Sequence, residues 1–403
     1  MKVRLTALRE QWTTDVRLNV LAGMTATLAL VPDSLAFSFM AGVPPVVGIY
    51  ASVCILLVIT FLGGRPGMIS AAAGSMAVLM LSLVKGHGIQ YLFAATILTG
   101  ILQYLMGLFR LGSLMRFVAP GVLKGFVNAL AILILMSQLQ YFKGASWRMY
   151  ALIAITLLII YFLPRYFKAV PSPLVAVAVL TFGVWALHIS GVQLIRDIAD
   201  IDASLPSFLI PDVPFSWHTL VVILPYSLSL AVVGFTETML TQNLIDEETG
   251  RQTSKHREMR GQGAANVVAG FFGGMAGCAL VAESVLNVKM GGTSRLSTLV
   301  AALFLLLLTV LLGDVLAIVP MAVLVGIMLM VCVSIFDWKS VYRLHRVPFH
   351  ETAVMLVTVA SVVWTHDLAI GVVAGVIVHY GWRLAARPSA GAKGAAVPLD
   401  AER

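Results

Sequence analysis

The sequence has too little charge for a soluble protein of its size. Asp, Glu, Lys and Arg together make up 11% of its 403 residues, where roughly 25% is usual. Apolar residues reach 59%, against roughly 45–50% in soluble domains, and the mean hydropathy is +0.94. So few charges cannot cover the surface of a soluble globule this large, which excludes a cytosolic enzyme and a disordered chain. Cysteine is scarce as well. Cys54, Cys278 and Cys332 are odd in number and sit in apolar stretches, which excludes a disulfide scaffold and reads as small packed residues. The eight histidines show no metal-ligand spacing, so no metal or cofactor is expected. No G-x-x-x-x-G-K-[ST] loop is present, which argues against ATP-driven chemistry. No nucleophile–base set is visible, so an enzyme is not expected. The basic start (Lys2, Arg4, Arg9, Arg17) leads into an apolar stretch with no small-residue cleavage site, unlike a secretory signal.

What the chain does have is long apolar runs. A bilayer-crossing helix needs about 20 mostly apolar residues. Candidates lie near 18–38, 45–62, 91–109, 117–140, 149–163, 172–190, 217–240, 296–313, 315–335, 351–365 and 367–383, with shorter or Gly-broken pieces at 67–84, 262–275 and 277–290. This predicts an all-α polytopic membrane protein of about 14 segments. With the N-terminus placed in the cytoplasm, only Lys85, Lys143, Arg148 and Arg196 of the 27 basic residues fall outside, so both termini are expected inside. The net charge of +8 then reflects orientation and not nucleic-acid binding. The 191–216 stretch, with Asp197, Asp200, Asp202 and Asp212, reads as an external loop. Residues 241–261 read as a charged cytoplasmic loop, and 1–17 and 385–403 as cytoplasmic ends.

Two short segments echo each other at an offset of 210: Gly63-Gly64-Arg65-Pro66-Gly67 and Gly273-Gly274-Met275-Ala276-Gly277. By the charge map they run in opposite senses. Inverted halves with Gly-interrupted segments at matching places point to a transporter's binding site. An extended approach followed by a helix start, near Gly74 and near Ser284, presents free N–H groups and a positive dipole end. Two such ends make an anion or polar-ligand site without a basic side chain. Ser75 and Ser284 would add hydroxyls. Asp33, Glu237 and Glu283 lie deep in apolar segments, where a charge costs on the order of 2.5–3.5 kcal/mol. They read either as carboxyls satisfied by nearby Ser and Thr or as carriers of a proton through a transport cycle, since desolvation raises a carboxyl pKa. A sodium site is the other use of these oxygens, with Asp33 and Glu237 beside Thr236, Thr238 and Thr241.

Several motifs carry a family resemblance. They are Leu21-Ala22-Gly23; Val31-Pro32-Asp33-Ser34-Leu35-Ala36-Phe37; Ala41 to Tyr50; Gly74-Ser75-Met76-Ala77; Gly125-Phe126-Val127-Asn128; Glu237 to Thr241; Gly261 to Asn266; and Ser284 to Val288. Together they resemble the sulfate permease (SulP) family of secondary anion transporters over nearly the whole chain. The resemblance implies a 7+7 inverted repeat with two half-helices, each preceded by a short extended segment. Residues 18–109 and 217–313 would form a core domain, and 110–190 and 314–384 a gate domain. It implies a homodimer working by an elevator-like movement in a bacterial plasma membrane. Substrate would sit near Asp33, Phe37, Gly74, Ser75, Met76, Ala282, Glu283 and Ser284. The family usually carries a C-terminal STAS domain, and the sequence ends before one could fit, as either a naturally short form or a truncated one. Glu283 stands where the family often has arginine, and Ala73 where it often has proline. An acidic Glu283 beside Glu237 favours proton–anion symport, with proton coupling assigned to Asp33, Glu237 and Glu283. Substrates in reach are dicarboxylate, bicarbonate and sulfate. A neutral, nucleobase-like substrate, or a channel-like or non-transporting protein, is the alternative.

Overall fold

The computed structural model describes residues 12, 14–111, 119–166, 171–197, 205–342, 348–365 and 368–385. Most of the 1–17 and 385–403 ends lie outside the described residues, as do Asp200 and Asp202. The described chain is helical apart from one small sheet. In order, the elements are α1 (Val16–Ala41), α2 (Pro45–Leu62), β1 (Ser70–Ala72), α3 (Gly74–His87), α4 (Ile89–Leu108), α5 (Pro120–Gln138), α6 (Trp147–Tyr166), α7 (Ser172–Ala186), α8 (Trp217–Thr249), α9 (Lys255–Phe271), β2 (Gly277–Ala279), α10 (Val281–Lys289), α11 (Arg295–Ala317), α12 (Met321–Ile335), the short α13 (Trp338–Tyr342), α14 (Phe349–Thr365) and α15 (Leu368–Ala385). Six of these helices are long and apolar enough to cross a membrane. Leaving α13 aside, a helix stands at each of the fourteen predicted segments.

The helices pack in two groups. One contains α1–α4 and α8–α11, with α9 against α4 and α2, and α11 against α1 and α2. The other contains α5–α7, α12, α14 and α15, with α14 against α5 and α15, and α12 against α6 and α5. Helices α3 and α10 have 14 and nine residues. At 1.5 Å per residue they are about 21 and about 14 Å long, too short to span a core of about 30 Å. The approach to each is an extended strand. The two strands pair antiparallel, Ser70 with Ala279, Ala71 with Cys278 and Ala72 with Gly277.

That pairing corrects the sequence reading, which left the N–H groups of the extended approach free. Buried peptide groups need partners, and here the two approaches satisfy each other. Side chains close the sheet's outer edges. Asn266 accepts from the Gly277 N–H and donates to its carbonyl, both at 2.9 Å, while Gln262 donates to that carbonyl too. On the other edge the Ala72 N–H donates to Ser52 Oγ at 3.2 Å. A side chain at Gly277 would overlap the Ala71 carbonyl, so only glycine permits this strand spacing.

Two further expectations change. The second half-helix starts at Val281, not near Ser284. The equivalent strands and helix starts are therefore offset by 207 residues, because the GGxxG echo aligned the turns before the strands. The 241–261 stretch, expected as a charged loop, is helical over most of its length. Helix α8 runs on to Thr249 and α9 begins at Lys255, capped by Ser254 Oγ. Asp246 pairs with Arg65 at 3.4 Å. The buried Glu258 accepts the Gly64 and Arg65 N–H groups at 2.6 and 2.7 Å. The charges of this stretch hold the turn before β1 in place.

Candidate functional site

The two half-helix starts bring the three deep carboxyls together. Asp33 follows Pro32 within α1 and is 9% exposed. Glu283 lies in the first turn of α10 and is 7% exposed. Asp33 lies in the electrostatic field of Glu283. Like charges repel, so a proton on either carboxyl relieves the pair. Glu237, on α8, accepts from the Ser75 hydroxyl and from Cys278 Sγ at 2.9 Å, and it too lies in the electrostatic field of Glu283. One cluster thus draws on α1, α3, α8, β2 and α10.

Asp33, Ala282 and Glu283 line a cavity of about 330 Å³. It reaches between the two helix groups toward the ends of α6, α7 and α12, past Pro164, Ser172 and Ser334. Among the described residues, no Lys, Arg or His lines it. Two other cavities, of about 330 and about 480 Å³, have no ionisable lining residue and are almost wholly apolar, so they offer no chemistry to orient a polar ligand.

The remaining predicted residues sit behind the cavity wall. Gly74 opens α3, and Phe37 packs on it so closely that a Cβ there would lie 2.7 Å from the ring. Met76 is fully buried. Ser284 faces the strand: its Oγ accepts from the Ile69 N–H at 2.9 Å and donates to the Ile69 carbonyl at 3.2 Å. The threonines proposed for sodium also meet backbone. Thr236 donates to Val232 O, Thr238 accepts from Ala279 N and Thr241 donates to Ala279 O. Missed by sequence reasoning are Cys278, read as mere packing, and Asn266 and Gln262, which hold β2. The signal for the last two was a pair of amides one helical turn apart on one face.

Comparison with known proteins agrees with this architecture. The profile of the Sulfate permease family matches residues 16–151 and 144–358. The chain belongs to that family. It is 53% identical over 371 residues to the Bacillus subtilis protein named "Putative sulfate transporter YbaR", covering 92% of this chain and 77% of that protein. It is 27% identical over 396 residues to the bicarbonate transporter BicA of Picosynechococcus, covering 90% of this chain and 69% of BicA. Among solved structures, the transmembrane domain of a cyanobacterial BicA superposes with a TM-score of 0.79 at 26% identity, over 90% of this chain and 98% of that one. Murine Slc26a9, described as inward-facing, gives 0.82 at 19% identity, over 94% and 70%, a likeness of fold. This sulfate permease relative is a multi-pass membrane anion transporter and not an enzyme.

Proposed function

We propose that the protein carries a small anion together with protons, by secondary-active, elevator-like alternating access. One observation carries this reading: among the described residues, the cavity between the helix groups is lined by two carboxyls and no basic side chain. An anion about 4 Å from one ionised carboxylate is opposed by about 4 kcal/mol at an effective dielectric of about 20, close to a thousandfold in affinity. A proton on the carboxyl removes that opposition, and the N-terminal end of α10 then favours the anion. Proton and anion therefore bind as partners.

The group holding both half-helices would be the moving core, and α5–α7, α12, α14 and α15 the gate. The charge map puts the ends of α6, α7 and α12 at the cytoplasmic face, so the cavity corresponds to an inward-facing state. The same reading has a homodimer in a bacterial plasma membrane with both termini in the cytoplasm. Uptake into proteoliposomes tests the coupling. An imposed proton gradient should drive accumulation, and Glu237→Gln and Glu283→Gln should weaken that drive; uptake indifferent to the gradient and to both substitutions sinks the idea. Carboxyls on both α8 and α10 favour a second reading, a neutral nucleobase-like ligand held by hydrogen bonds. Gradient-driven uracil uptake without anion uptake would establish it.

A further inference from the structure

We propose that the anion is a monocarboxylate with a short apolar body, not an inorganic dianion. The inference rests on the reading of the Asp33–Glu283 cavity as the substrate site, and it comes from counting donors there. A doubly charged oxyanion needs a dense set of hydrogen-bond donors or a cation to replace its water. The described lining offers neither. Among the described residues no cationic side chain lines it. The Ser75 hydroxyl is committed to Glu237 and the Ser284 hydroxyl to the Ile69 carbonyl. Ser334, at the far end, donates to Val331 O. What remains among the described residues is the Ser172 hydroxyl, the first N–H groups of α10 and whatever protons Asp33 and Glu283 carry.

That set suits one carboxylate group. A protonated carboxyl donates a short, charge-assisted bond to a carboxylate, and the helix start supplies the rest. Away from the carboxyls the wall is apolar: Ile160, Leu286, Ile327, Met330 and Val331, with three prolines. An inorganic oxyanion leaves this surface uncovered, whereas an alkyl group buries against it. The cavity, about 330 Å³, falls in the range that encloses small organic ligands.

The test is a homologous series with the full chain in proteoliposomes under an inward-directed proton gradient. Pyruvate, 2-oxobutyrate and 2-oxovalerate are compared with sulfate, fumarate, bicarbonate and chloride. The three 2-oxo acids should show saturable, gradient-driven uptake. Their apparent KM should fall about fourfold per added methylene until the cavity is full. Sulfate and fumarate should be poorer by at least about tenfold, as expected when polar groups go unpaired. Met330→Gln should flatten the methylene series, and Val331→Thr, nearly the same in shape, is the second variant should the first fail to fold. A flat or rising KM series, or preference for sulfate, fumarate, bicarbonate or chloride under the same gradient, overturns the monocarboxylate assignment and leaves proton-coupled anion transport standing. If no anion responds to the gradient, the transport reading falls first and this assignment with it.

Discussion

Replacing Ser284 by alanine distinguishes two roles for one hydroxyl. In the sequence Ser284 looks like a ligand residue at a half-helix start. In the fold its Oγ bonds both the N–H and the carbonyl of Ile69, in the turn leading to β1. The Ile69 carbonyl keeps a second partner in the Leu280 N–H at 2.9 Å. The Ile69 N–H has the serine oxygen, and its loss leaves a buried donor unsatisfied. Such an orphan costs about 1–3 kcal/mol, so about 2 kcal/mol is expected. Unfolding in mixed micelles, followed by fluorescence of the seven tryptophans, should show that loss, while KM for the transported anion changes by less than about twofold. Ser52→Ala supplies a matched control, because Ser52 accepts the Ala72 N–H on the sheet's other edge. The tether argument is refuted if Ser284→Ala leaves unfolding unchanged and raises KM about tenfold, the signature of a lost ligand contact.

Three other outcomes follow from the same structure. Asn266→Ala strips a donor–acceptor pair from Gly277 and a 2.7 Å bond from Gln103; a loss of about 2–4 kcal/mol is expected in the same unfolding assay, and a loss under about 0.5 kcal/mol would show that β2 is held otherwise. Gly277→Ala forces a methyl into the Ala71 carbonyl; the yield of folded protein by size exclusion should collapse, and a normal elution profile would mean the strands can separate without cost. Glu258, in the charged 241–261 stretch outside the apolar segments, is pushed by burial up to about 7, against the opposing pull of the Arg65 and Gly64 N–H bonds and of Arg295 and Arg257. The folded state therefore holds this proton more tightly than the unfolded one, so its stabilisation is complete below the ordinary 4.5 and is lost as pH rises through about 7. Relative to Glu258→Gln, the wild type should lose up to about 3 kcal/mol between about pH 4.5 and 8; parallel pH profiles for the two proteins contradict this.

The helical framework was legible because its cause is local. Apolar runs and basic flanks are written in consecutive residues, and each predicted segment has its helix. The sheet was not legible, for a physical reason. Ser70-Ala71-Ala72 and Gly277-Cys278-Ala279 lack the β-branched and aromatic residues that mark strands. They are extended because each completes the other's backbone bonding, which is a tertiary fact. The same cause produced the error in the repeat offset: glycines in turns resemble each other without being equivalent. The charged 241–261 stretch misled because polarity suggests solvent, whereas Glu258 and Asp246 are engaged by Arg65 and its backbone. At the candidate site, the three carboxyls stood out in the sequence by their improbable depth. It did not find that Ser75 and Ser284 spend their hydroxyls on the protein itself, since that depends on which way each first turn faces.

In the proposed transport cycle, the position of Glu283 ties these features into one mechanism. A carboxylate in the first turn of a helix is itself stabilised by the positive dipole end, by about 0.3–1 kcal/mol at exposed sites and up to about 2 kcal/mol when partly buried. In that cycle Glu283 would occupy electrostatically the place that a transported anion needs. Substrate and side chain would compete for one helix start, with the proton deciding between them. With Glu283 ionised, the helix end is neutralised from within and an external anion meets repulsion from Glu283 and Asp33 together. With a proton on the pair, the helix end is free and the carboxyl becomes a donor. In the proposed cycle an anion that enters with its proton adds less uncompensated charge to the site than an anion alone, so a core group carrying the site past an apolar barrier would move the paired form at lower cost. Proton coupling in that cycle would need no separate gate residue, because the anion alone is already opposed by the carboxylates it must sit beside.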